Sequence, residues 1–300
     1  LDVEISDDLT HAKIVAEHIK SKHHEIIVSE NDFLGNIENV IYAIESYDTT
    51  TVRASVGNWY ISKMIKEKSN CKVVFNGDGS DEVCGGYMYF HAAPDSIAFD
   101  SECKRLLKDI HYYDVLRSDR SISTHGLEPR TPFLDQNFVD TYLRLNINAR
   151  NHGMNEQCEK YLLRMAFSNT GLLPDEVLWR TKEAFSDGVS SQKKSWFEVI
   201  QDHMLENIFV NVNTDLFLEK QQQYYKHNTP QTLEQLHYRM IYESYFGKTG
   251  HTIPYFWMPK FVEATDASAR TLDIYKNKMS NNNNQKENYS NESKNEKLLE

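Results

Sequence analysis

The stretch Val73–Val83 constrains the fold of this chain more than any other feature of the sequence. It begins with a short apolar run, Val73–Phe75, whose residue types favour a buried strand of a parallel sheet. The run breaks into a loop that holds Gly77, Gly79 and several carboxylates. Because ligands of open α/β sheets bind at the carboxyl ends of the strands, the stretch predicts an α/β protein with a ligand site at this loop.

The residue types of the loop suit a magnesium-bound nucleotide better than a bare phosphate. Glycines let backbone N–H groups approach a phosphate closely. Asp78, Asp81 and Glu82 would repel that phosphate unless a divalent cation lay between them. The alternative is an acidic surface turn in which Ser80 or Asp81 caps the next helix. The composition of the loop leaves both interpretations open.

Motifs that follow one another along the chain favour the nucleotide interpretation. Residues 76–87, N-G-D-G-S-D-E-V-C-G-G-Y, resemble the S-G-E-G-S-D-E-V-F-G-G-Y signature in the synthetase domain of glutamine-hydrolysing asparagine synthetases. The other segments that resemble this family are Thr50–Ser55, Gly126–Asp135, Trp179–Gly188, Trp257–Lys260 and Asp266–Leu272. The resemblance extends from about Leu9 to Tyr275. Asn76 and Asp78 depart from the usual Ser and Glu, and the shorter Asp78 requires an inward shift of the loop if activity is to be kept.

The resemblance implies an α/β fold with a nucleotide-binding parallel sheet, of the adenine nucleotide alpha hydrolase type (N-type ATP pyrophosphatase), and a helical C-terminal part. We expect residues 1–100 to form the ATP-binding part and residues 101–276 the mainly helical remainder. Residues 277–300 have almost no apolar content, which predicts a disordered tail. The family's first strand and pyrophosphate loop are expected to precede Leu1, as is its glutaminase domain, so the chain alone is expected to be inactive.

The activity implied by the resemblance is that of a ligase that makes asparagine from aspartate at the expense of ATP. A β-aspartyl-AMP intermediate forms with loss of pyrophosphate, and ammonia derived from glutamine then displaces AMP. Two alternatives are an adenylating cyclase similar to β-lactam synthetase, and an inactive fragment kept as a binding or structural module. The segments Trp257–Lys260 and Asp266–Leu272 favour asparagine synthesis over cyclisation.

The family's site residues can be carried over to matching positions in the acidic loop. The resemblance assigns Asp81 to Mg²⁺, and Asn76, Gly77 and Asp78 to the nucleotide. Asp78 is also the candidate acid/base or site-organising carboxylate, because the incoming ammonium must lose a proton.

Two further motifs carry candidate cations. Lys182 is expected to bind the departing pyrophosphate as a mobile point charge in a flexible turn, although a solvated lysine is the simpler alternative. Arg53 and Thr50 are expected to bind substrate or phosphate, since an arginine fork suits bidentate contact with either anion. The alternative for Arg53 is a surface arginine paired with Asp48.

Charge and composition exclude some classes of partner. The net charge of −11 argues against a general nucleic-acid or acidic-membrane binder, because both partners are polyanions. The sequence contains no run of eighteen apolar residues, so no membrane-spanning helix is predicted. The four cysteines are widely spaced, which favours a reduced, cytoplasmic protein. A homodimer formed through the full-length protein is a further expectation.

Periodicity supplies the remaining structural predictions. Residues 23–28 are predicted to form a strand, and apolar residues between Phe33 and Ile44 predict a helix that runs into residues 45–51. Residues 196–245 are predicted to be helical, with aromatic side chains in the core. Glu128, Arg130 and Asp135 are predicted to form a structural ion-pair network around a buried turn.

Overall fold

The computed structural model describes residues 6–188 and 194–274, and most of these residues lie in helices. Up to residue 130 the elements are α1 (Asp7–His18), α2 (Glu30–Gly35), α3 (Ile37–Ile44), α4 (Thr49–Lys68), β1 (Val73–Phe75), α5 (Ser80–Cys84), α6 (Ser96–Asp109), α7 (Asp114–Ser123) and β2 (Glu128–Arg130). They are followed by α8 (Gln136–Leu143), α9 (Ile147–Arg150), α10 (Tyr161–Phe167), α11 (Asp175–Leu178), α12 (Phe185–Gly188), α13 (Trp196–His203), α14 (Thr214–Tyr224) and α15 (Leu233–Phe246). Single turns of 3₁₀ helix occur at 88–92, 110–112, 132–134, 250–252 and 269–271, and a π-helical turn at 204–208. The predicted disordered tail, residues 277–300, lies outside the described residues.

The sheet of the described residues consists of β1 and β2, which pair in parallel with Val74 opposite Pro129. The prediction that β1 is buried is wrong, because Val73 and Phe75 are 45% and 78% exposed. The predicted strand at residues 23–28 is also wrong, since this segment has no regular structure. Within the described residues it pairs with no neighbouring strand, and a strand needs such a partner for its backbone groups. The chain is therefore rich in helix with a small parallel sheet, which is consistent with an α/β fold.

Helix α4 lies at the centre of the main hydrophobic core. The side chains that α3, α4 and the C-terminal helices contribute to it include Ile41, Ile44, Val52, Val56, Ile200 and Tyr238, all fully buried. The predicted helix around Phe33–Ile44 is confirmed as α2 and α3, but it ends at Ile44 because Glu45 adopts a left-handed backbone with φ 51°.

Asp48 connects the start of α4 to the C-terminal part of the chain. Its carboxylate accepts hydrogen bonds from the backbone N–H of Thr51 at 2.9 Å, as the N-cap of α4, and from the N–H of Trp257 at 2.7 Å. Burial raises the pKa of Asp48 to about 6, against the lowering effect of these hydrogen bonds. This contact holds the segment around Trp257 against the first turn of α4.

The helical prediction for residues 196–245 is confirmed by α13, α14 and α15. Of their aromatic residues, Trp196, Tyr238 and Tyr242 lie in the core as predicted, whereas Tyr224 and Tyr245 are 58% and 46% exposed. None of the described helices combines the length and apolar character needed to span a membrane.

The predicted network of Glu128, Arg130 and Asp135 is confirmed only for its first two members. Glu128 and Arg130 form an ion pair of 2.7 Å on β2, with side chains 66% and 50% exposed. Asp135 does not join them, because its carboxylate caps α8 by accepting from the N–H groups of Asn137 and Phe138. The turn at residues 132–134 is partly exposed rather than buried.

Candidate active site

The acidic loop leaves β1 and enters α5 through a fixed set of hydrogen bonds. The backbone N–H of Asn76 donates to the carbonyl of Arg130 at 3.0 Å, which extends the parallel pairing by one residue. The Asn76 side chain donates to Ser118 Oγ at 2.6 Å and accepts from the N–H of Asp78 at 3.2 Å. Asn76 therefore orders the loop through its own hydrogen bonds. Gly77 follows it, and no atom outside its chain neighbours lies within 4 Å of the position that a Cβ would occupy.

Gly79 turns the chain into α5. Its φ is 89°, a left-handed conformation that favours glycine, and an added Cβ would lie 2.4 Å from the side chain of Leu134. Gly79 is the N-cap residue and provides no side-chain hydrogen bond, so the alternative in which Ser80 or Asp81 caps this helix is wrong. The loop instead leaves its acidic side chains free to make contacts elsewhere.

Asp81 brings together two lysines from distant parts of the sequence. Its Oδ1 lies 2.8 Å from Nζ of Lys160, and its Oδ2 lies 3.4 Å from Nζ of Lys182. All three side chains are at least four-fifths buried. Burial acts to raise the pKa of Asp81, but the positive charges of Lys160 and Lys182 outweigh this effect and hold the pKa below its usual range. We call Asp81, Lys160 and Lys182 the lysine–aspartate cluster.

The backbone on both sides of this cluster is shaped to let the side chains meet. An added Cβ at Gly86 would lie 2.1 Å from Asp81 Oδ1 and 2.4 Å from Cε of Lys160, so any larger residue there would displace these two side chains. Lys160 has a left-handed backbone with φ 58° just before α10, and its Nζ also donates to Ser80 Oγ at 3.0 Å.

Sequence reasoning missed Lys160. The sequence assigns it no role, and in the structure it is the N-cap residue of α10, which begins at Tyr161. No motif or spacing signalled its contact with Asp81, because that contact depends on how α5 and the start of α10 pack.

Lys182 lies near Asp81, so the motifs that carry these two residues meet in the fold. Residues 181–184 have no regular structure, whereas Phe185–Gly188 form the short helix α12 rather than a flexible turn. Nζ of Lys182 also donates to the carbonyl of Glu183 at 2.6 Å. A lysine with a buried carboxylate partner is not the solvated residue of the alternative interpretation.

Asp78 belongs to a second charged group beside the loop. Arg117 donates to Asp78 at 3.2 Å and to Asp114 at 2.7 Å, and thus links the two carboxylates. The Tyr87 hydroxyl lies 2.6 Å from both Asp114 Oδ2 and Glu82 Oε1.

Glu82 and Asp114 in this second group have opposite pKa shifts. Burial, and then the charge of Asp114, raise the pKa of Glu82 well above its usual value. Burial also acts to raise the pKa of Asp114, but Arg117 outweighs it and lowers that pKa. Glu82 therefore holds a proton more tightly than the neighbouring Asp114.

Arg53 has partners that the sequence did not predict. Its guanidinium donates to both oxygens of Glu234 at 2.8 and 2.6 Å, and to both oxygens of Asp266 at 2.7 and 2.8 Å. The side chain is 3% exposed, so the alternative of a surface arginine paired with Asp48 is wrong. These bonds use four of the five N–H donors of the Arg53 guanidinium, so the expected direct contact with substrate or phosphate would depend on the second N–H of Nη1 or need one of these ion pairs to open.

Thr50 lies one turn before Arg53 on the same face of α4. Its hydroxyl is buried and has no hydrogen-bond partner in the structure. A small cavity of about 60 Å³ borders both residues, together with Tyr87, Ser186, Trp257 and Ser268. This cavity has room for a few water molecules, and Thr50 supplies a polar group with an unused bonding capacity.

A larger cavity, of about 400 Å³, opens on the other side of the segment around Lys182. Four basic side chains line it, and they are Lys160, Arg164, Arg180 and Lys182. The rest of its wall is largely apolar, with Phe133, Leu163 and Val177, and it also includes two acidic residues, Glu183 and Asp8, of which Asp8 pairs with Arg180 at 2.7 Å. A cavity of this size with several cations suits a polyanionic ligand such as a nucleotide polyphosphate.

The described residues contain no group of three or more His, Cys, Asp or Glu side chains arranged to hold a metal ion. Asp81 is the candidate single ligand, and its Oδ1 and Oδ2 would have to exchange their ion pairs with Lys160 and Lys182 for the metal ion. Mg²⁺ commonly uses one or two carboxylates and takes its other ligands from phosphate oxygens and water. The donor set therefore fits Mg²⁺ that arrives with a nucleotide and does not form a metal cage of its own.

Comparison with known proteins agrees with the motifs at this site. Residues 2–100 and 94–243 match the model of the family described as Asparagine synthase. The chain is 47% identical over 278 residues to the glutamine-hydrolyzing asparagine synthetase of Gallus gallus, a match that covers 92% of this chain and 48% of the relative. The corresponding proteins of Rattus norvegicus and Homo sapiens are 44% and 42% identical, over 92% of this chain and 48% of each relative. The chain thus spans about half the length of the curated relatives it matches.

Proposed function

Because the chain belongs to the Asparagine synthase family, we propose that it supplies the ATP-binding and synthetase part of a ligase that makes asparagine from aspartate. In the proposed reaction the side-chain carboxylate of aspartate attacks the α-phosphorus of ATP, and the bond to pyrophosphate breaks. Ammonia derived from glutamine then attacks the acyl carbon of β-aspartyl-AMP, loses a proton and releases AMP. The proposal includes a nucleotide-binding fold of the adenine nucleotide alpha hydrolase type.

The observation that carries this proposal is the contact of 3.4 Å between Lys182 and Asp81. These residues belong to different motifs, one following β1 and the other preceding α12. Lys160 lies on the same carboxylate at 2.8 Å, beside the cavity of about 400 Å³. Two ammonium groups at one point provide positive charge where a departing pyrophosphate would need it.

We assign the polyphosphate to the lysine–aspartate cluster. Lys160 and Lys182 would exchange their contacts with Asp81 for phosphate oxygens, and Asp81 would then be free to bind Mg²⁺. Bound Mg²⁺ would neutralise charge on the phosphate oxygens. Asn76 and Gly77 would present the loop backbone to the nucleotide, with Gly77 leaving space for close approach.

The second charged group suits the role of organising the site. Arg117 holds Asp78 beside Asp114, so Asp78 is oriented by a salt bridge and is the candidate to receive the proton that ammonia loses. Arg53 would act by holding Asp266 and the cavity wall in place, and Thr50 offers a free hydroxyl to substrate.

We also propose a reducing, cytoplasmic environment, which is supported by the fact that none of the four cysteines forms a disulfide. Cys84 and Cys103 are buried. Burial raises the pKa of both thiols, that of Cys84 to about 12. The homodimer expected from the family stays a prediction.

Exchange of radiolabelled pyrophosphate into ATP tests the first half-reaction. We expect the whole translation product of the gene to catalyse exchange that requires both aspartate and Mg²⁺. Asp81→Asn should lower the exchange rate by about 10²-fold, because it removes the charge that holds the metal and the lysines. Asp140→Asn is the matched control, since Asp140 is exposed on α8, and it should leave the rate unchanged. A folded protein without aspartate-dependent exchange would refute the proposal.

A further inference from the structure

Arg164 ties together the two chain segments that carry the lysines of the cluster. Its Nε donates to the carbonyl of Glu159 at 2.7 Å, the residue immediately before Lys160. Its Nη1 donates to the carbonyls of Leu178 and Arg180, the latter at 3.0 Å and two residues before Lys182. One guanidinium thus bridges the backbones leading to Lys160 and Lys182.

Both lysines lie outside regular secondary structure, so helix geometry does not fix their separation. Lys160 has a left-handed backbone before α10, and Lys182 lies in the irregular segment between α11 and α12. The flexible stem of a lysine places its ammonium group only as well as its backbone is placed. The planar fork of an arginine can bond two segments at once in a defined geometry, and its charge strengthens each bond to a carbonyl.

We propose that Arg164 is a positioning residue that sets the spacing between Lys160 and Lys182 and thereby the affinity for pyrophosphate and for the polyphosphate of ATP. The inference rests on the proposed function of the lysine–aspartate cluster. Arg164 also lines the cavity of about 400 Å³. Its charge could therefore contribute without the bridge, and the test must separate these two effects.

Three variants separate the effect of the hydrogen-bonded bridge from the effect of the positive charge. Arg164→Met keeps the length of the apolar stem but removes every hydrogen bond of the bridge. Arg164→Lys keeps the positive charge in the cavity, although an ammonium group cannot span both segments. Arg120→Met is the matched control, because Arg120 also donates to a backbone carbonyl, that of Ile44, but lines neither cavity of the site.

The measurements are the inhibition constant of inorganic pyrophosphate, the KM for ATP and the KM for aspartate, with thermal unfolding followed in parallel. We expect both Arg164 variants to raise the pyrophosphate constant and the KM for ATP by about tenfold, which corresponds to one misplaced phosphate contact. The KM for aspartate should stay within about twofold, and Arg120→Met should match the wild type.

The results that would overturn the proposal differ from those that would refute the function. If Arg164→Lys restores wild-type pyrophosphate binding, the charge and not the bridge is responsible. If both Arg164 variants raise the KM for aspartate as much as that for ATP, or both fail to fold, Arg164 has a general structural role. If the wild type itself binds no pyrophosphate and shows no exchange, the proposed function fails instead.

Discussion

Lys182→Ala lowers the rate of aspartate-dependent pyrophosphate exchange by about 10²- to 10³-fold, the loss expected when one preorganised charge at a developing anion is removed. The reason is that Lys182 provides one of the two ammonium groups at Asp81, in a cluster whose side chains are at least four-fifths buried. The attraction between an ammonium group and a phosphate is stronger in such a site than in water, so solvent does not compensate for the missing ammonium group. The measurement is the initial exchange rate at saturating ATP and aspartate.

The control for this variant is Lys104→Ala. Lys104 also pairs with a carboxylate, Asp100, at 2.6 Å, but its side chain is 60% exposed. We expect its exchange rate to equal that of the wild type. A Lys182→Ala protein that is folded and retains its rate within about twofold would remove Lys182 from the proposed mechanism.

Arg53→Met lowers the free energy of unfolding by about 3–5 kcal/mol, the cost of leaving a buried ion partner without its counter-charge. Glu234 and Asp266 are 0% and 9% exposed at their side chains, and both lose their bidentate partner in this variant. Burial acts to lower the pKa of Arg53, but Glu234 and Asp266 raise it well above its usual value, so the guanidinium is always charged. The measurement is urea denaturation at neutral pH.

Arg130→Met is the matched control for this effect. Arg130 pairs with Glu128 at 2.7 Å, but both side chains are at least half exposed. An exposed pair of this kind contributes no more than about 1 kcal/mol. If Arg53→Met and Arg130→Met had the same free energy of unfolding, the buried ion pairs of Arg53 with Glu234 and Asp266 would not be what stabilises this part of the fold.

The sequence predicted the parts of the site that are local in the chain. The acidic glycine loop after β1 and the segment that carries Lys182 could be recognised because each lies in a continuous motif. Helices α13 to α15 could be predicted from their periodicity. These features depend on residues close to one another along the sequence.

Features that depend on distant packing could not be predicted. The partners of Arg53 lie on α15 and near the C-terminus, so its position on α4 gave no indication of a doubly bound, buried guanidinium. Lys160 had no motif, and its contact with Asp81 arises where α5 meets the start of α10. The exposure of Phe75 on β1 likewise reflects which elements cover the sheet and not the β-propensity of the strand.

A crystal structure of the protein bound to pyrophosphate and Mg²⁺ tests the central claim most directly. The account predicts phosphate oxygens within about 3 Å of Nζ of both Lys160 and Lys182, with Asp81 turned from the lysines to the metal ion. Pyrophosphate bound elsewhere, with both lysines still in contact with Asp81, would contradict it.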